Sequence, residues 1–179
     1  CLPRGVLREH KTALKRADLF VLTKTDLGKN QLTKIKADLK SLSPETTIVE
    51  PVHQPVSLIE LQKEEVLDLG LINGKSVCAV SSIGAPTSFL YMLRDLGAVI
   101  QQDFSFEDHH HYSRRDINLI IEACRTAGVD KVVTTQKDQV KLKQFVDMLP
   151  DNLQFLCLKI KIAITAGEDT FFERIHHIL

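Results

Sequence analysis

The period of the apolar residues switches repeatedly along this chain, from short continuous runs to helical stripes and back, and no other feature restricts the fold as much. Residues 17–23, ADLFVLT, read as a short buried strand. In the next stretch Leu32, Ile35, Leu39 and Leu42 fall on one helical face. Residues 46–52 read as a second strand, and Pro44, Pro51 and Pro55 then mark a linker near 53–58. Residues 58–71 are expected to be helical, ending near Gly70. KSVCAVSSIG, 75–84, is a strand entering a glycine turn, and Pro86 suits the first turn of a helix with Phe89, Leu93 and Leu96 inward. A strand over 97–104 follows. Ser113 and Asp116 then form a capping box for a helix with Ile117, Ile120, Ile121 and Cys124 on its core face, closed by Gly128. A strand at 131–135, a helix over 136–149, a strand over 153–164 with Leu156, Leu158, Ile160, Ile162 and Ile164 alternating, and a last helix from Glu168 complete the pattern.

Strands alternating with helices at this spacing imply βαβ units: an α/β fold, a mostly parallel sheet with flanking helices in a three-layer, Rossmann-like arrangement. Such sheets place their sites beyond the carboxyl ends of the strands. Four polar turns fall there: TKTD (23–26), SSIGAP (81–86), FEDHHHYS (106–113) and TTQKD (134–138). These four corners are therefore expected to share one rim.

Bulk properties narrow the function. With 179 residues, 44% of them hydrophobic, the chain can bury a sizeable core. Twenty-three basic residues balance 23 acidic ones without a like-charge block, which disfavours a nucleic-acid surface. The four cysteines stand far apart with no CxxC pair, against a zinc ribbon or disulfide framework and in keeping with a reducing cytosol. No apolar run is long enough to span a bilayer. The opening residues, CLPRGVLREH, read as the middle of a longer protein, so a fragment is expected.

Individual motifs are ambiguous. GLINGKS, 70–76, has three residues between its glycines where a phosphate loop has four, and it leads into a strand instead of a helix. TKTD resembles the base-reading turn of guanine-nucleotide-binding proteins, with Lys24 along the base and Asp26 accepting from it; as a bare strand end, its Asp26 would cap a helix. His109, His110 and His111 are consecutive, so extended chain points them to alternate faces and they do not grip one ion together. An adjacent carboxylate, Asp108, can instead orient one imidazole for phosphate contact or proton transfer. Lys137 and Asp138 stand at a helix start, where a lysine can meet an anion and an aspartate can cap.

Taken together in their order, LPRGVLRE, SSIGAPTSFLYMLRDLG, FEDHHHYSRRD and TTQKDQVKL resemble the second half of the tetraacyldisaccharide 4'-kinase family. Ser82 stands where that family has the first glycine of G-I-G-x-P, Gln136 replaces a glutamate and Arg4 an alanine. The resemblance implies a P-loop-kinase-like fold truncated at its N-terminus, and ATP-dependent phosphorylation of the 4'-position of the lipid A precursor disaccharide. It implies ATP and Mg²⁺ held with an N-terminal half that carries the phosphate loop, catalytic carboxylates and a membrane-facing helix. It places the protein in the cytoplasm, peripheral at the inner membrane of a Gram-negative bacterium. On the same ground His109 and Asp108 are the catalytic candidates; Arg8, Glu9, Thr23, Lys24, Asp26, His110, Thr135, Lys137 and Asp138 are cleft residues, and His111 is turn surface. Residues 1–56 would be the remnant of the nucleotide domain with its linker, and 57–179 a second α/β domain. Without a P-loop the chain is expected to be inactive alone. The competing readings are a stand-alone GTPase-like module, resting on TKTD, and a non-catalytic interaction domain whose polar turns open at different edges.

Overall fold

The structure is a computed structural model that describes residues 7–23, 25 and 29–176. It divides into two compact units: residues 1–54 with 162–179, and residues 55–161. Residues 162–179 thus group with the N-terminal stretch and not with residues 55–161.

In the first unit a 3-10 turn, Lys11–Arg16, precedes strand β1, Leu19–Val21, helix α1, Lys29–Leu42, and strand β2, Thr47–Val49. β1 and β2 pair in parallel, Leu19 beside Thr47 and Val21 beside Val49. Lys40 closes α1 by donating to the carbonyls of Pro44 and Thr46 at 2.8 and 3.1 Å, which turns the chain into β2. Of the predicted α1 stripe, Leu39 is buried, whereas Ile35 is 43% exposed.

Strand β3, Pro51–Glu60, then leads to β4, Val66–Leu67, β5, Ser76–Ser81, helix α2, Pro86–Asp95, and β6, Val99–Ser105. Helix α3, Arg114–Ala127, β7, Lys131–Thr135, helix α4, Gln136–Leu142, β8, Gln154–Ile164, and helix α5, Glu168–His176, complete the chain. The six-stranded sheet runs β4-β3-β8-β7-β5-β6. β8, β7, β5 and β6 are mutually parallel, and β4 is antiparallel to β3.

Helices cover both faces of the second unit, so its central strands need apolar residues at every position. On β5, Val77 and Ala79 pack with Phe89, Leu90 and Leu93 of α2; Cys78 and Val80 pack with Ile117, Ile120 and Cys124 of α3. On β8, Phe155, Leu156, Cys157 and Leu158 are buried in succession. The expected alternation therefore fails there: Phe155 and Cys157 fill one face while Leu156 and Leu158 fill the other. Ile162 is 69% exposed.

Two further expectations change. Residues 58–71 are not a helix. They hold the end of β3, a tight turn with Glu64 in the left-handed region (φ 57°), β4 and a 3-10 turn, Leu69–Ile72, capped by Asp68. Leu58 and Leu61 sit three apart, as on a helix, yet Leu58 and Glu60 are buried at strand spacing. The expected linker at 53–58 lies inside β3. Its prolines precede the stretch paired with β4, which covers Leu58 and Ile59 alone, so there β3 behaves as an edge, where a missing N–H is tolerated. The expected helix over 136–149 shortens to α4 followed by a 3-10 turn, Lys143–Met148.

Candidate functional site

Within the second unit, β5 connects to β6 on one side, while β7, on its other side, connects to β8. The connections part between β5 and β7, and in open parallel sheets the crevice forms outside the carboxyl ends of such a pair. Three of the polar corners meet there.

Asp138 joins the first two. It is the third residue of α4, fully buried, and Thr135 caps the same turn by accepting from its backbone N–H at 3.2 Å. The Asp138 carboxylate accepts from the Thr135 hydroxyl at 2.7 Å, from the Ser82 backbone N–H at 2.9 Å and from the Ser82 hydroxyl. Lys141, one turn along α4, donates to Ser82 Oγ at 2.7 Å and lies 3.5 Å from Asp138 Oδ1. A buried carboxylate is costly unless it is fully hydrogen-bonded, and this one is. Its field reaches further: burial first, then Asp138, pushes the Cys157 thiol up to about 12 and the Tyr112 phenol above its ordinary range. Among the described residues, the buried Tyr112 and Thr134 hydroxyls have no hydrogen-bond partner.

The third corner hangs from the end of β5. Ser81 C=O accepts from Phe106 N–H at 2.8 Å, and Ser82 C=O accepts from His109 N–H at 3.4 Å. Asp108 lies against Gly84, where an added Cβ would come within 3.2 Å of its carboxylate, so the glycine permits the close approach. His109 has φ 64°, a left-handed conformation that costs a residue with a Cβ about 1–2 kcal/mol. Its side chain is 83% exposed, with Nε2 3.8 Å from Asp108 Oδ2. Asp108 also accepts from the His109 backbone N–H at 3.1 Å.

His110 turns the other way. Its ring stacks on Phe106 with centroids 4.5 Å apart, meets Tyr112 edge-on at 5.3 Å, and places Nε2 3.2 Å from Asp116 Oδ2. Asp116 closes the capping box with Ser113. Burial works to raise the Asp116 carboxyl, but hydrogen bonds from the Ser113 hydroxyl and backbone N–H, and then His110, hold it below its usual range. His110 thus braces the turn from inside, whereas His111 is exposed.

The profile of the family described as "LpxK: Tetraacyldisaccharide-1-P 4'-kinase" matches residues 1–179. The chain belongs to this family. Among tetraacyldisaccharide 4'-kinases, that of Halothermothrix orenii is 34% identical, aligned over 94% of this chain and 47% of the relative. That of Syntrophus aciditrophicus is 36% identical over 79% of this chain and 40% of the relative. The chain therefore spans about half the length of the curated relatives it matches. A solved structure of LpxK from Aquifex aeolicus in complex with ATP superposes with a TM-score of 0.59 at 21% identity, covering 99% of this chain and 48% of that one, which establishes the shared fold.

Against this family pattern, the structure brings Asp108, His109, Thr135, Lys137 and Asp138 to one edge of the second unit. Lys137 is exposed there, and no ion pair involves it among the described residues. Arg8, Glu9 and Thr23 belong to the first unit; Arg8 and Glu9 are exposed, Glu9 pairing with Arg16. Lys24 and Asp26 lie outside the described residues. Sequence reasoning missed Ser82, Lys141 and Tyr112. Lys141 has a signal, as the final lysine of TTQKDQVKL; Ser82 stands out as a departure from glycine, with no hint that its hydroxyl meets a buried carboxylate. The interaction-domain reading expected turns opening at different edges, and three of the four open at one.

Proposed function

We propose that this chain is the C-terminal part of an ATP-dependent kinase that phosphorylates the 4'-hydroxyl of the tetraacyldisaccharide precursor of lipid A. Family membership over the whole chain supports the activity. The observation that carries the role of these residues is His109: an exposed imidazole held in a strained backbone conformation at the carboxyl edge of a parallel sheet, with Asp108 beside it. Strain of this kind persists where the surrounding structure enforces it, and it concentrates at functional sites.

In this reading His109 faces the reacting phosphoryl group or the sugar hydroxyl, Asp108 orients it, and Lys137 supplies positive charge at the rim. Arg8, Glu9, Thr23, Lys24 and Asp26 belong to the nucleotide-binding side. The triphosphate cradle comes from the portion of the longer relatives that this chain does not span. Phosphoryl transfer uses Mg²⁺ to offset charge on the phosphates. Among the described residues, no three or more His, Cys, Asp or Glu side chains are grouped so as to hold such an ion. No described helix is long and apolar enough to cross a membrane; with an acylated substrate, the protein works in the cytoplasm at the inner-membrane surface, with contact made by the portion not spanned here.

The test joins this chain to a nucleotide-binding half of the family and measures 4'-kinase turnover. His109→Ala is expected to lower kcat by about a hundredfold or more, the usual worth of a positioned proton-transfer group. Full turnover in that variant removes His109 from the reaction.

A further inference from the structure

We infer that Asp138 is a positioning residue that sets the placement of His109 through the Ser82 peptide, without touching nucleotide or lipid. The inference rests on the reading of His109 given above. Its geometry is a relay of backbone bonds. Asp138 is fully buried, so no ligand reaches its carboxylate. That carboxylate holds the Ser82 N–H at 2.9 Å, and on the other side of the same residue the Ser82 carbonyl holds the His109 N–H at 3.4 Å. One residue earlier, the Ser81 carbonyl holds Phe106 N–H, where the turn carrying His109 begins. The end of β5 is therefore gripped by α4 on one flank and grips the histidine turn on the other. Left-handed backbone at His109 must be imposed from outside, because a residue with a Cβ does not choose it. The bond from Ser82 is one of the constraints that imposes it.

The arrangement separates two parts of the contact. The backbone N–H of Ser82 carries the link to the turn, whereas its hydroxyl and Lys141 complete the hydrogen bonding of the carboxylate. Serine stands where the family pattern has glycine, and a glycine would keep the N–H and lose the hydroxyl. The link therefore does not require the hydroxyl, and substitutions at the two residues should differ in effect.

The experiment is nuclear magnetic resonance on the 179-residue chain, following the His109 amide and imidazole signals, beside kinase turnover of the same variants joined to the nucleotide-binding half. Asp138→Ala is expected to shift the His109 signals and to lower kcat ten- to a hundredfold with KM within about twofold, since misplacing a reacting group by an ångström has that scale of effect. Ser82→Ala, which keeps the N–H, is expected to shift them less. Asp138→Asn, which retains one acceptor, should fall between and serves if Asp138→Ala does not fold. Leu93→Ala, in the cluster on the opposite face of the sheet, is the control for lost stability alone and should leave the His109 signals in place. Unmoved His109 signals in the Asp138 variants, or equal movement in Leu93→Ala, overturn the relay. Full turnover in His109→Ala with moved signals in Asp138→Ala overturns instead the catalytic reading on which it rests.

Discussion

The two units bury their apolar residues in different ways. The second wraps a parallel sheet on both faces, and its central strands contribute whole runs of fully buried side chains, Val77 to Val80 on β5 and Phe155 to Leu158 on β8. In the first unit, Phe20, Leu39 and Val49 are buried, while Leu7, Val21 and Ile35 are more than 40% exposed. Burial of a full-sized apolar side chain contributes about 1.5–3 kcal/mol, so the stabilisation per residue is concentrated in the second unit. The candidate site follows the same division. Its precisely placed groups, Asp138, Ser82 and the His109 turn, stand on the rigid sheet edge of the second unit, where packing can hold a strained backbone in place.

Breaking the contrast needs a substitution in each unit. Phe155→Ala removes a fully buried ring from the second unit and is expected to cost about 3–5 kcal/mol in denaturant unfolding. An effect below 1 kcal/mol would show that the sheet is less tightly packed than the burial implies. A smaller effect sharpens the contrast at the site. Ser113→Ala removes the cap of α3 and should cost about 1 kcal/mol by the same measurement. Because Asp116 is held below its ordinary value in the folded chain, its contribution is present above about pH 4 and is lost as pH falls through the lower folded value. Ser113→Ala should therefore flatten the acid limb of a stability-versus-pH curve, and an unchanged limb would count against the capping box as its source. The smallest effect belongs to the first unit: Ile35→Ser, at a position 43% exposed, should stay within about 0.5 kcal/mol of the parent. A larger loss would mean that Ile35 is covered to an extent which its exposure in this structure does not show.

Sequence was most informative where local chemistry and tertiary packing agree. Helix α3 carries its own start in Ser113 and Asp116, its stop in Gly128 at φ 63°, and a core stripe in Ile117, Ile120 and Cys124. Residues 58–71 were misread because Leu58 and Leu61 imitate helical spacing, while what sets the conformation is pairing with β4, a partner that lies a few residues away and is only two residues long. At the site, the motif order identified Asp108, His109 and Asp138 as a group. It did not separate the outward His109 from the inward His110, because that depends on one backbone dihedral and on Phe106 and Tyr112. Nor did it show that Asp138 is sealed from solvent, since its partners Ser82 and Thr135 come from the ends of two strands far apart in sequence.

Under the role proposed for His109, its left-handed backbone sets fold maintenance and chemistry against each other at a single position. Glycine there would relax the chain, and the turn around it would gain firmness, while the imidazole at the sheet edge would be gone. Screening for thermal robustness alone would therefore favour a replacement at position 109 that leaves a sturdier protein without the proposed reacting group.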